Sequence, residues 1–397
     1  MNGTSLPKGL LILVLGLALM LPLGLAPVQA EETALVIDAD LGAVLHARRP
    51  NQRIPPASLT KMMTAYVVFE GLKAGTYRLS DRVEISATAR NARPVKIGFA
   101  AGADIALGDA LKALIGRSAN DVAVALAEFV AGDEATFAAY MTRTAHRLGM
   151  SRTTFKTANG LPADGQYTTA HDMAVLAQAL IRDHPGLYRY LSLKSFRFNG
   201  GTMGSINAVL RVYPGADGLK TGFTCASGYN LVASAVRDGR RLIGVVLGNP
   251  TGPTRTHKMS ALLDQAFAQP LSERMEWLDR ITPTATTPNP KPIDNTQRTP
   301  ACGAGGVSGY AVDIGISRSG GRAAAIAEQG AGVYGGVPYI VKTASGGLVR
   351  WKAYVGGLEG ATARTICRQR RARGQWCLVR TPSMVAADFR SGARIRR

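Results

Sequence analysis

The order of apolar runs in this sequence predicts an α+β fold. An antiparallel sheet is assembled from both ends of one domain, with helices packed on it, and a small βαββαβ unit follows. Three observations carry that reading. Short β-rich runs stand at 34–38 and 44–48, before a long stretch with helical spacing. Three compact apolar runs, 218–223, 230–235 and 242–247, close the same unit. After a Pro-, Thr- and Asn-rich break at 282–300, strand-like runs at 310–316, 337–341, 350–355 and 376–379 enclose helix-like runs at 322–329 and 362–371.

The elements follow in order. A turn at 39–42 joins the first two runs into a hairpin. Pro55-Pro56 halts the chain, and Leu59, Met62, Met63, Tyr66, Val67 and Phe69 then recur at helical spacing. Helices are predicted at 109–115 and 121–130 with the turn 117–120 between them, and at 134–148, stopped by Gly149. Thr169 and Asp172 form the pattern of a capping box for a helix over 170–181. Asp238-Gly239 turns the last two strands of the sheet, and a helix over 257–268 ends the unit.

The chain's 397 residues, 46% of them hydrophobic, suffice for two or three domains with a real core. Lys8, the charge-free apolar run from Leu10 to Leu25 and the small residues around Val28-Gln29-Ala30 read as a secretory signal peptide, with an uncleaved anchor as the alternative. The expected division is 1–30 signal, 31–270 first domain, 271–304 linker, 305–382 second domain and 383–397 basic tail. A formal net charge of +20 suits either an exported protein that meets polyanions or a solubilising surface. Of the four cysteines, Cys225, Cys302, Cys367 and Cys377, the last two flank one helix-to-strand connection and are the favoured pair among three complete pairings. Their spacing is not that of a zinc site, and no metal or cofactor is expected.

Three strings carry chemistry: Ser58-Leu59-Thr60-Lys61, Ser118-Ala119-Asn120 and Lys220-Thr221-Gly222. Ser58 at a helix start puts Lys61 one turn later on the same face, within reach of its hydroxyl. A lysine acts as a base only when neutral, so burial and a second cation, Lys220, must lower its pKa. Ser118 and Asn120 in an inter-helix turn can relay a proton and hold a substrate amide. Gly222 admits a substrate backbone, and the Ser58 and Phe223 N–H groups can form an oxyanion hole. Each string alone is weak; together they describe serine acyl transfer with lysine as base.

Residues 31–270 resemble the low-molecular-mass penicillin-binding proteins that act as D-alanyl-D-alanine carboxypeptidases. The text that carries the likeness is Pro56-Ala57-Ser58-Leu59-Thr60-Lys61-Met62, Ser118-Ala119-Asn120-Asp121, Asn159-Gly160-Leu161-Pro162 and Asp217 through Thr224. The resemblance implies the serine β-lactamase/transpeptidase fold and an acyl-enzyme on Ser58. It implies Lys61 as general base, Ser118 and Asn120 as relay and substrate contact, and Lys220 with Thr221 on the terminal D-Ala carboxylate. The expected substrate is the peptidoglycan pentapeptide, and β-lactams are the expected covalent inhibitors. D,D-endopeptidase action on crosslinks and an inactive wall-binding scaffold are the alternatives. Ala119 replaces the usual glycine, and Ser205–Arg211 lacks the basic, Asn-rich wording of the family, so no additional carboxylate-binding arginine is placed. A histidine triad is a poorer reading, because His171-Asp172 suits a helix cap and the other histidines lack a motif. A β-lactamase needs a carboxylate to activate the deacylating water; Glu134 and Asp164 lie between the second and third strings, and neither has a recognisable setting.

The second unit has the element order of an RNA-binding module, but the signal peptide and the missing aromatic signature argue against nucleic acid. It resembles a SPOR domain through Tyr310-Ala311-Val312-Asp313-Ile314-Gly315, Val355-Gly356-Gly357-Leu358 and the Cys367–Cys377 stretch. That implies binding to peptidoglycan glycan strands, with Tyr310, Trp351 and nearby arginines as candidates facing out from the sheet. The signal peptide and the resemblance together imply a periplasmic location, with the division septum as a glycan-rich site where the tail would hold the protein. Peripheral membrane contact stays open.

Overall fold

The computed structural model describes residues 33–93, 95–198, 200–272, 275–281, 310–345, 348–381, 384–385 and 394–395. The signal segment, Cys302 and the Pro-rich stretch 282–300 lie outside the described residues. In chain order the first domain runs β1 (Thr33–Asp38), β2 (Val44–Arg48), a 3-10 turn (Ala57–Leu59) and α1 (Thr60–Lys73). There follow β3 (Arg82–Glu84), α2 (Ala87–Arg90), β4 (Asp104–Ala106), α3 (Leu107–Gly116), α4 (Asn120–Ala131), α5 (Glu134–Arg147) and α6 (Ala170–Asp183). β5 (Ser195–Phe198), β6 (Gly201–Gly204), α7 (Val209–Val212), β7 (Ala216–Thr224), β8 (Gly228–Arg237), β9 (Arg240–Asn249) and α8 (Gly252–Ala268) complete it.

The main sheet has the order β2-β1-β9-β8-β7, every neighbouring pair antiparallel. The N-terminal hairpin is thus sewn to the C-terminal strands through β1 and β9, and β7 is left as an edge. Alternation along the strands divides the core. Leu35, Ile37, Val232, Ile243 and Val245 face the helices α1 and α3–α6. Ala34, Val36, Leu231, Ala233 and Val246 face α8 through Met259, Leu262 and Leu263. α1 lies at the centre of the larger layer: all residues from Thr60 to Phe69 are buried, as expected of a helix surrounded by protein. Truncating one of its large apolar side chains, such as Met62, would cost about 2–5 kcal/mol, so the helix that carries Lys61 is firmly held.

Several sequence expectations are revised. α8 begins five residues earlier than the apolar spacing indicated, because Thr251 and Thr254 form a reciprocal capping box and Pro253 fits the first turn. At α6 the reverse holds. Thr169 accepts from the Asp172 N–H, but the Asp172 carboxylate accepts from Arg152 N (3.0 Å) and Thr153 Oγ (2.6 Å) instead of closing the box. The first domain also runs past 270: Trp277 bridges Ala43, the Leu278 N–H donates to Gly42 O, and Leu278 and Ile281 join the core.

The second unit is described by itself. β10 (Tyr310–Ser317), α9 (Gly320–Tyr334), β11 (Val337–Ser345), β12 (Leu348–Leu358), α10 (Gly360–Ala372) and β13 (Leu378–Arg380) follow the expected order, and β14 (Arg394–Ile395) is added. The sheet order is β13-β10-β12-β11-β14. Cys367 and Cys377 are joined, tying α10 to the residues before β13, and Cys225 is also disulfide-bonded. Tyr310 and Trp351 do not face outward. They pack beside the helix-side core, Trp351 against Gly320 and Tyr310 against Gly360. The opposite face holds a stacked Tyr339–Tyr354 pair with Val385 buried beside it, so Val385, past the expected boundary at 382, belongs to this packing. Among the described residues no helix is long and apolar enough to cross a membrane.

Candidate active site

Ser58 lies in the 3-10 turn that feeds α1. The preceding residue, Ala57, holds φ at +50°, a left-handed value uncommon for a residue with a side chain. The bend leaves Ser58 partly open to solvent while Lys61, one turn on, is fully buried. Lys61 Nζ lies 3.1 Å from Ser58 Oγ, 2.7 Å from Asn120 Oδ1 and 2.6 Å from the Asn159 carbonyl oxygen. A neutral amine has two N–H donors and one lone pair. Two carbonyl acceptors and one hydroxyl donor match that inventory, with the lone pair turned to the serine proton.

Ser118 and Asn120 come from the break between α3 and α4. Ser118 holds φ at +59°, which turns the chain between the helices, and Asn120 is the first residue of α4. The Asn120 N–H donates to Val95 O (2.7 Å) and its Nδ2 to Arg93 O (2.9 Å). Asp121, buried beside it, accepts from the Ile97 and Gly98 N–H groups. The turn is thereby laced to the 93–98 loop, which orients the Asn120 carbonyl oxygen toward Lys61.

The third string arrives on β7. Alternation within a central strand would send Lys220 and Thr221 to opposite layers, but β7 is the edge strand and borders the cleft. Lys220 Nζ donates to Ser118 Oγ (3.0 Å) and Thr221 O (2.8 Å), and both Lys220 and Thr221 are buried. A Cβ on Gly222 would sit 3.1 Å from Ser58 N, so the strand passes directly against the nucleophile's backbone. Phe223, next along, keeps its ring against Tyr229 with 4.2 Å between centroids. On the other side, Gly160 takes φ +83°, and a side chain there would run into the Ala57 carbonyl.

The electrostatics are asymmetric. Burial, then the nearby Lys220, push Lys61 well below the usual lysine value, while Asp121 and Glu134 pull it back. Lys220 is lowered to about 7 by burial and by the Arg255 guanidinium. Arg255 is itself buried on α8, donating to Asn230 O.

The three strings therefore meet around Ser58. What the sequence did not reveal is the Asn159 carbonyl on Lys61, a backbone atom with no side-chain signature, and Arg255, a cation brought under Lys220 from a helix 35 residues away. The only hint of Asn159 was the Asn-Gly-Leu-Pro wording. The histidine reading fails on geometry: His171 Nδ1 pairs with Asp172 and Nε2 with the Leu278 carbonyl.

Comparison with known proteins gives a consistent picture. Residues 25–251 match the family model described as D-alanyl-D-alanine carboxypeptidase. The carboxypeptidase DacC of Escherichia coli is 39% identical over 249 residues, which cover 61% of this chain and 62% of that protein. The crystal structure of penicillin-binding protein 5 from Haemophilus influenzae superposes with a TM-score of 0.58 at 39% identity, covering 62% of this chain and 73% of that one. Penicillin-binding protein D2 of Listeria monocytogenes, solved in an ampicillin-bound form, gives a TM-score of 0.53 at 31% identity over 60% of this chain and 97% of its own. The chain spans a little under two thirds of the length of the curated relatives it matches. The antiparallel sheet with packed helices is the fold these solved structures share with it, and the chain belongs to the D-alanyl-D-alanine carboxypeptidase family.

Proposed function

We propose that the chain is a serine-type D-Ala-D-Ala carboxypeptidase that removes the terminal D-Ala from peptidoglycan pentapeptide stems. The observation that carries the reading is the position of Lys61, buried, with its nitrogen shared among Ser58 Oγ and two carbonyl oxygens. Ser58 Oγ attacks the carbonyl carbon of the penultimate D-Ala, and its proton passes to Lys61 Nζ. The new C–O bond gives a tetrahedral oxyanion, received by the Ser58 and Phe223 N–H groups. The C–N bond then breaks, and a proton delivered through Ser118 converts the leaving nitrogen to the amine of free D-Ala. Water attacks the resulting ester, restores the Ser58 hydroxyl and leaves the shortened stem as an acid. Lys220, Thr221 and the field of Arg255 hold the terminal carboxylate. A β-lactam enters the same path, but its amine stays tethered and water is slow to replace it.

The second unit is read as a SPOR-like glycan-binding domain, supported by its βαββαβ order and its disulfide. The enzyme is assigned to the periplasm, exported by the signal peptide at 1–30, with glycan strands holding it near its substrate. The test is incubation of the form starting at Glu31 with a muropeptide ending in D-Ala-D-Ala, followed by mass spectrometry. Free D-Ala that disappears in Ser58→Ala is expected. Well-folded wild type that releases none would overturn the reading, and cleaved crosslinks would redirect it to an endopeptidase.

A further inference from the structure

Lys61 reaches two carbonyl oxygens, and only one is held by a residue of the three strings. The other, Asn159 O, belongs to the loop between α5 and α6, which has no regular structure of its own. Several side chains grip that loop from outside it: Asp172 holds Arg152, Thr142 holds Phe155, Thr64 on α1 donates to the Ala158 carbonyl at 2.7 Å, and a carboxylate on α5 takes the next stretch. Glu134, first residue of α5, accepts from the Ala158 N–H at 2.9 Å and from Asn159 Nδ2 at 3.4 Å through the same oxygen, Oε1. Asn159 Oδ1 in turn accepts from the Leu161 N–H at 2.8 Å. The carbonyl that takes one of the two Lys61 protons is thus fastened on both sides, and the fastening ends on a half-buried carboxylate.

We propose that Glu134 is a positioning residue for the acyl-transfer step: it holds the Asn159 carbonyl on Lys61 and, through its charge, sets the pH above which Lys61 is free to take the Ser58 proton. The charged groups facing Lys61 are Lys220 on β7, Asp121 on α4 and Glu134 on α5. Glu134 faces Lys61 and Glu128. Asp121 is wholly buried and committed to the Ile97 and Gly98 N–H groups, which leaves Glu134 as the more accessible carboxylate acting on the base. Its negative charge favours the ammonium form of Lys61, so it delays loss of the proton as pH rises. The proposal rests on Lys61 being the base for Ser58.

The test is the second-order rate of acylation by a fluorescent penicillin between pH 5 and 9, in the full chain starting at Glu31. Glu134→Gln keeps an acceptor for the Ala158 N–H and removes the charge; Glu134→Ala removes both. In Glu134→Gln the acid limb is expected to move down by about half a pH unit or more, with the plateau within about threefold of wild type. In Glu134→Ala the plateau itself is expected to fall about tenfold, because the Asn159 carbonyl is no longer fixed. An acid limb unmoved in Glu134→Gln, or a plateau unmoved in Glu134→Ala, would overturn the proposal. Thermal melts of both variants confirm that folded protein is being compared. Wild type that is not acylated at any pH would instead defeat the underlying assignment of Ser58 and Lys61, so the two failures are distinguishable.

Discussion

The two walls of the cleft each bury a lysine, and they treat it differently. On the helical wall Lys61 meets a hydroxyl and two carbonyl oxygens, with two carboxylates, Asp121 and Glu134, acting on it from behind. On the strand wall Lys220 meets Ser118 Oγ and its neighbour's carbonyl, and the nearby charge is another cation, Arg255. The first setting saturates the amine and tunes its proton affinity, as a base requires. The second concentrates positive potential in a buried edge that only an incoming anion can balance. Burial, with a neighbouring cation behind it, lowers both pKa values; the remaining partners decide which lysine moves protons and which receives a carboxylate.

The largest expected effect breaks the helical wall. Lys61→Met removes the base and should slow acylation by a β-lactam by about 10³-fold or more, read from single-turnover kinetics, with folding intact by circular dichroism. Next comes the strand wall. Arg255→Gln should lower kcat/KM for a D-Ala-terminated peptide about tenfold, mostly through KM, and raise the Lys220 pKa because a repelling cation is gone. An unchanged KM would remove Arg255 from carboxylate recognition.

A third test uses stability. The folded pKa of Lys220, about 7, lies below that of the unfolded chain, so between those values the unfolded state binds more protons. Stability from this group therefore rises with pH across that window and is lowest at and below neutrality. Lys220→Met should melt at a higher temperature than wild type at pH 7, and the gap should narrow toward pH 10. The smallest effect on activity lies far from both walls. Replacing Cys367 and Cys377 with Ala, which opens a link of sequence separation 10, should cost the second unit about 2–3 kcal/mol and leave β-lactam acylation unchanged.

The two domains were unequally legible. In the first, local pattern carried the information: Ser58 and Lys61 share a helical face, and the N-terminal and C-terminal runs were compact apolar stretches of strand length, the ones that β1 and β9 join. What stayed hidden was set by tertiary approach. Nothing local in Asn159 marks its carbonyl as a ligand of Lys61, and Arg255 lies ahead of the helix predicted over 257–268, its place near Lys220 set only when α8 packs on the sheet. Capping was misjudged where a carboxylate had a better offer, as Asp172 did from Arg152 and Thr153. In the second unit the element order was readable but the faces were not. Tyr310 and Trp351 turned to the helix side, in the same alternation as Val312 and Ile314 on β10 and Ala353 and Val355 on β12, while Tyr339 and Tyr354 occupy the other face.

The most direct test of the central claim, that Ser58 is the nucleophile activated by Lys61, is the site of covalent modification. Protein incubated with benzylpenicillin, digested and mapped by mass spectrometry should carry one penicilloyl group, on the peptide containing Ser58, and Lys61→Met should lose it. An adduct on another residue, or none on folded wild type, would contradict the claim.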